Sequence, residues 1–248
     1  MSFTKVAMHF ALKRPDILSY ESFLFFGPHP DDIEIGAGAT IAKLSALGKK
    51  IRFVICTDGR YGSDVITPDD LSGIRREEAI ASASKLGVDD VVFLNLSDGA
   101  FYKEEELFNA MARAVSDFNP DIIFAPDPFV SNECHRDHLN VGDAARNLAC
   151  FAPFSSIMEQ YGCNKADVKA IAFYMTAKPN VYVKTGDNIK KQFEALKCHK
   201  SQAAGLESVY LYLRLRSLDF GLRRFSLHAE GFRAYTQTEM HCLPERGE

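Results

Sequence analysis

Short apolar runs separated by stretches of helical spacing pattern this chain. Residues 23–26 are Phe-Leu-Phe-Phe, and further runs follow at residues 51–56, 91–94 and 121–126. Brief, aromatic-rich and without polar alternation, the first reads as a strand buried on both faces of a parallel sheet. Between the runs lie candidate helices. Residues 37–47 carry Ile41, Leu44 and Leu47 and stop at Gly48, while residues 71–86 have Ser72 as a cap and Gly87 as a stop. Residues 104–118 end at Asn119-Pro120, and residues 139–150 form a fourth helix. The order βαβαβαβα predicts right-handed crossovers and a parallel sheet.

After Phe151 the texture changes. Residues 170–175 and 181–184 read as strands joined through Lys178-Pro179-Asn180, an expected hairpin or antiparallel pair. Helices are expected at residues 187–199 and 208–222. The apolar side chains of the latter, among them Tyr210, Leu211 and Leu215, suit a core or a subunit interface, and a homo-oligomer is expected. Residues 1–22 suggest only a peripheral strand or turn. The expected fold is a three-layer α/β/α, Rossmann-like, mostly parallel sheet with a C-terminal α+β extension. One domain spans 1–248: a core over 1–150, and an extension over 151–248 that completes the substrate site.

The first strand runs into Pro28-His29-Pro30-Asp31-Asp32-Ile33-Glu34-Ile35-Gly36. The prolines fix φ and force the chain out of the sheet. His29, Asp31 and Asp32 therefore sit at a strand's carboxyl end, where open α/β sheets bind ligands. Imidazole and carboxylate suit a divalent cation such as zinc. Adjacent aspartates point apart, so one can ligate while the other faces a bound water. Helix capping would explain one aspartate, but not the second beside His29.

The fourth strand also ends in such a cluster, Asp127-Pro128-Phe129-Val130-Ser131-Asn132-Glu133-Cys134-His135-Arg136-Asp137-His138. If the segment turns helically, His135 and His138 share a face. Asp137 then suits a partner for an imidazole. Spacing alone leaves open which aspartate and which histidine ligate.

The two clusters resemble the (A/P)-H-P-D-D-x-x-x-G and H-x-D-H motifs of the LmbE/PIG-L family of zinc-dependent N-deacetylases. The resemblance extends through Thr57-Asp58-Gly59, Arg75-Arg76-Glu77-Glu78-Ala79, His199-Lys200-Ser201-Gln202 and Glu230-Gly231-Phe232-Arg233. It implies that His29, Asp32 and His138 hold Zn2+, or another divalent metal, which activates a water. It further implies that Asp31 takes the water's proton, and that His135 stabilises the oxyanion or protonates the leaving amine, oriented by Asp137. Arg75 is implied in substrate contact; the loop carrying Asp58 is a further candidate. The implied substrate is a small molecule carrying an N-acetylated amino sugar such as N-acetylglucosamine.

Composition narrows the setting. A net charge of −4 over 248 residues gives no electrostatic case for nucleic acid or an anionic membrane. Six cysteines without a C-x-x-C pair fit a reducing compartment. Residues 6–12 are too short and too weakly flanked for a signal peptide, and no run approaches the ~20 apolar residues of a membrane span. A cytoplasmic location is expected. The competing reading is a nucleotide- or dinucleotide-binding protein, with Gly36-Ala37-Gly38 opening a helix and Asp58 about twenty residues on. Ile41 at the third glycine position, and the repulsion of a pyrophosphate by Asp31 and Asp32, weigh against it.

Overall fold

A computed structural model describes residues 11–241. In chain order the elements are β1 (Ser22–Gly27), α1 (Asp32–Ala46), β2 (Lys50–Thr57), α2 (Pro68–Lys85), β3 (Asp90–Leu96), α3 (Glu104–Phe118), β4 (Ile122–Pro126), α4 (Arg136–Phe151) and the short α5 (Ser155–Met158). There follow β5 (Ala170–Tyr174), β6 (Val181–Lys184), α6 (Ile189–Leu196), α7 (Ala203–Leu222) and β7 (Ala229–Thr236). The seven strands form one sheet in the order β3-β2-β1-β4-β5-β7-β6. Five are parallel, β3 through β5. The chain moves outward from β1 to β3 and then returns to the other side of β1 as β4. This reversal falls between β1 and β4, the strands that lead into the two clusters, and open α/β sheets bind ligands at the carboxyl ends of the strands at such a point.

Strand periodicity explains the three layers. Leu24 and Phe26 face one core with Met111 and Val115 of α3 and Val141 and Leu148 of α4. Phe23 and Phe25 face the other with Ile33 and Ile41 of α1 and Ala79 and Ala83 of α2. Phe25 stacks on Phe124 with centroids 4.4 Å apart and meets Phe53 edge-on at 6.0 Å. Each such ring contributes roughly 1.5–3 kcal/mol by leaving water, so the strand that carries the first cluster is firmly held.

Three local expectations are corrected. The anticipated pairing of residues 170–175 with 181–184 does not form. β7 lies between them, antiparallel to both, because the segment after Tyr174 carries the chain past one strand position. Helix α2 starts at Pro68, with Thr67 accepting the Asp70 amide, so Ser72 is no cap. Helix α7 starts at Ala203 rather than residue 208. Before β1, the described part of residues 1–22 forms a turn at Ile17–Ser19, with Ile17 buried; residues 1–10 lie outside the described residues, as does Cys242.

Gly36 and Gly38 lie within α1 and serve close packing. A Cβ on Gly36 would stand 2.1 Å from the Tyr174 ring, and one on Gly38 2.7 Å from the Gln192 side chain. Gln192 donates to the carbonyl of Glu34 at 2.8 Å, and the Glu230 carboxylate accepts the Ala39 and Thr40 amides at 3.1 and 2.6 Å. The extension thus grips the helix that follows the first cluster.

Candidate metal centre

The loop between β1 and α1 is tightly wound. Asp31 and Asp32 both turn their amides to the His29 carbonyl, and Thr57 at the end of β2 donates through its amide and hydroxyl to the Pro28 carbonyl. Asp31 sits at φ 150°, a conformation an L residue rarely adopts, and such strain costs on the order of 1–3 kcal/mol. Its side chain makes no capping bond. The carboxylate instead accepts from Arg75 Nη2 at 3.2 Å.

Asp32 Oδ2 is where the clusters meet. It lies 3.0 Å from His29 Nδ1 and 3.3 Å from His138 Nε2, and accepts the His29 backbone amide at 2.8 Å. The other nitrogen of each ring faces another carboxylate. His29 Nε2 is 3.1 Å from Asp137 Oδ2, and His138 Nδ1 is 2.9 Å from Glu133 Oε2. Metal-ligating histidines are typically held through the second nitrogen in this way.

The first turn of α4 delivers its residues together. The helix begins at Arg136, so Asp137 and His138 are already helical, and His135 is the cap, accepting the Asp137 amide on Nδ1 at 3.3 Å. Asp137 is fully buried. It accepts from the Gly99 and Ala100 amides at 2.8 and 2.9 Å and from the Tyr102 hydroxyl at 2.9 Å, tying the loop after β3 to the site. Its contact with His135 Nδ1 is longer, 3.7 Å, so its nearest imidazole is that of His29.

The electrostatics call for positive charge here. Burial pulls the His29 imidazole down, yet hydrogen bonds from Asp137 and Asp32 outweigh it and push it up to about 10. His138 rises to about 9, where the charge of Asp32 overcomes burial. Burial would raise Asp32, but His138 and His29 hold it well below the usual carboxylate range. His135 behaves oppositely: burial and the neighbouring His29 and His138 charges lower it. Imidazoles that cling to protons around a shared carboxylate form a place for a cation. A tetrahedral zinc with ligands at about 2.0–2.1 Å has ligand–ligand edges of about 3.4 Å, close to the 3.0 and 3.3 Å found around Asp32. One nitrogen each of His29, His135 and His138 also lies within 4.8 Å of the others, so the residues present fit a divalent ion.

The sequence is likewise informative by comparison. The family model for GlcNAc-PI de-N-acetylase, PIG-L, matches residues 24–149, which include both clusters. The chain belongs to the PIG-L, or LmbE-like, deacetylase family. The diacetylchitobiose deacetylase of Thermococcus kodakarensis is 30% identical over 226 residues, 88% of this chain and 84% of that protein. The solved structure of N,N'-diacetylchitobiose deacetylase from Pyrococcus horikoshii, complexed with its inhibitor MPG, matches with a TM-score of 0.88 at 30% identity, over 98% of this chain and 94% of that one. A 4-carboxy-2-hydroxymuconate hydratase, GalB of Pseudomonas putida, matches with a TM-score of 0.75 at 18% identity over 86% and 95%. That match speaks for the fold alone, so the PIG-L fold does not by itself dictate deacetylation.

The remaining expected site residues are Arg75 and Asp58. Arg75 is buried. Its position follows from the earlier start of α2, which puts it well inside the helix rather than near the dipole's positive end. It donates to the carbonyls of Gly59 and Pro30 at 3.2 and 3.1 Å and to Asp31 Oδ1 at 3.2 Å. Asp58 is occupied by Arg60 at 2.8 Å. Asp98, Tyr102 and Glu133 were missed by the sequence reading. Asp98 is buried and accepts the Tyr61 amide, joining the loops after β2 and β3. The signal for Glu133 was available: an acid two residues before a histidine of the cluster. Asp98 and Tyr102 carried no spacing signal. The His199–Gln202 segment packs behind the site, where His199 meets Glu34 at 3.3 Å and the Ser201 hydroxyl donates to Glu78 at 2.6 Å.

Among the described residues no helix is long and apolar enough to cross a membrane.

Proposed function

We propose that this protein is a zinc-dependent hydrolase that removes the acetyl group from an N-acetylated amino sugar. The observation that carries the reading is the convergence of His29 Nδ1 and His138 Nε2 on Asp32 Oδ2, with Asp31 next to it in the chain. His29, Asp32 and His138 hold the ion. Asp32 is preferred to His135 as third ligand because it is anionic, lies close to both rings, and has no other side-chain partner. His135 already uses Nδ1 at the helix start. A bound zinc polarises a carbonyl and brings the pKa of water toward ~7.

The chain's own groups then divide the work. Burial raises the Asp31 carboxyl to about 6, against the pull of Arg75, so it is ionised yet basic enough at neutral pH to take a proton from the attacking water. The same proton serves the departing amine. His135 has a lowered pKa and an acceptor role at Nδ1. It is therefore neutral, with Nε2–H available to the carbonyl oxygen as negative charge gathers there. This makes His135 an oxyanion donor rather than an acid.

Relatives named for diacetylchitobiose and for 1D-myo-inositol 2-acetamido-2-deoxy-alpha-D-glucopyranoside support an N-acetylglucosamine unit in the substrate. The nucleotide-binding alternative loses its phosphate cradle, since Tyr174 and Gln192 cover Gly36 and Gly38. The test is release of primary amine from a panel of N-acetylated amino sugars, N,N'-diacetylchitobiose among them. Asp31→Asn and His135→Ala are expected to keep zinc while losing roughly 10²–10⁴ in turnover. No amine from any member of the panel, or undiminished turnover in either variant, refutes the reading.

A further inference from the structure

We propose that Glu133 is a positioning residue for the cation site, one carboxylate that holds His138 in its ligating tautomer and fixes the backbone of His135 beside it. The proposal rests on the zinc reading above and adds a residue outside both histidine motifs. Glu133 Oε2 lies 2.9 Å from His138 Nδ1, and Oε1 accepts the His135 amide at 2.8 Å. The Glu133 amide in turn donates to the Val130 carbonyl at 3.0 Å, which anchors it in a turn before α4.

The chemistry follows from donor and acceptor counts. An ionised carboxylate only accepts, so the His138 ring must present Nδ1–H to it. In the neutral imidazole that leaves the lone pair on Nε2, the atom 3.3 Å from Asp32 Oδ2. Without Glu133 the ring is free to take either tautomer or to turn. Asp137 does the same for His29, but it is fully buried and also holds the loop at Gly99 and Ala100, so its replacement disturbs more than one thing. The Glu133 side chain is a quarter exposed. It lies at the rim and can be changed without opening the core.

The experiment measures zinc affinity of the full chain by competition with a chromogenic chelator, alongside ¹⁵N ring spectra of the histidines. Glu133→Ala is expected to bind zinc ~10–100-fold more weakly. With zinc bound, its His138 should lose the single Nδ1–H tautomer expected of the unaltered protein. Glu133→Gln keeps the shape and one acceptor oxygen, and should fall between; it also decides the matter if the alanine variant does not fold. Asn132→Ala, in the same loop, is expected to bind zinc normally. Unchanged zinc affinity in both Glu133 variants, or an unchanged His138 tautomer, overturns the proposal. Because no substrate is present, a chain that binds zinc in this pattern yet releases no amine contradicts only the proposed reaction.

Discussion

Arg75 Nη2 lies 3.2 Å from Asp31 Oδ1, a buried guanidinium set directly against the carboxylate proposed as base. A change at Arg75 is therefore expected to reach Asp31 directly. Breaking a buried pair by removing one partner typically costs ~3–5 kcal/mol. Arg75→Ala is expected to lower thermal stability. It should also move the acid limb of kcat/KM to higher pH, because the guanidinium holds the Asp31 pKa down. Arg75→Lys restores the charge without the fork and should recover part of the shift. If Arg75 instead grips substrate, KM rises in the lysine variant and the pH limb stays in place. The pH–rate profile of both variants separates the two.

Gly36 tests whether the helix glycines serve packing. The Tyr174 ring that a Cβ would strike is fully buried, and its hydroxyl donates to the Phe26 carbonyl at 2.6 Å, so it has nowhere to move. Overpacking of this kind costs ~1–3 kcal/mol or more. Gly36→Ala should lower Tm by roughly 2–10 °C in a chain of this size. A melting temperature equal to that of the unaltered protein would show that the contact with Tyr174 is not tight.

Glu230 gives a pH dependence from outside the two histidine clusters. Burial raises its carboxyl from 4.5 to about 7, although the Thr40 and Ala39 amides favour the ionised form. Between those values the folded chain holds a proton that the unfolded chain has released. Folding stability from this group is thus present below pH 4.5 and is lost as pH rises through about 7. Glu230→Gln removes the titration, so its urea midpoint should change less between pH 5 and 8 than that of the unaltered protein. Equal slopes for the two proteins would rule the mechanism out.

Much of this architecture was legible in the sequence because the information is local. Four apolar runs and the helical stretches between them specify β1 to β4 and the helices that cover them. The HPDD and HRDH clusters end strands that flank the sheet's reversal point. What was not legible depends on distant partners. β7 slides between β5 and β6 through pairings that no local pattern encodes. The first turn of α2, Pro68-Asp69-Asp70, is polar and invisible to an apolar count, although Thr67-Pro68 is a start signal in its own right. That turn sets Arg75 well inside the helix, where it is a buried partner of Asp31. Asp137 is implied by the family resemblance to orient His135. Its shortest contact with an imidazole is to His29, which only the folded chain brings near.

The central claim is a single cation site made by the two clusters, and anomalous scattering at the zinc edge from a zinc-loaded crystal tests it most directly. One peak is expected, at about 2.0–2.2 Å from His29 Nδ1, Asp32 Oδ2 and His138 Nε2, with Asp31 and His135 beside it but not ligating. A peak ligated by His135 in place of Asp32, or no peak between His29 and His138, would contradict it.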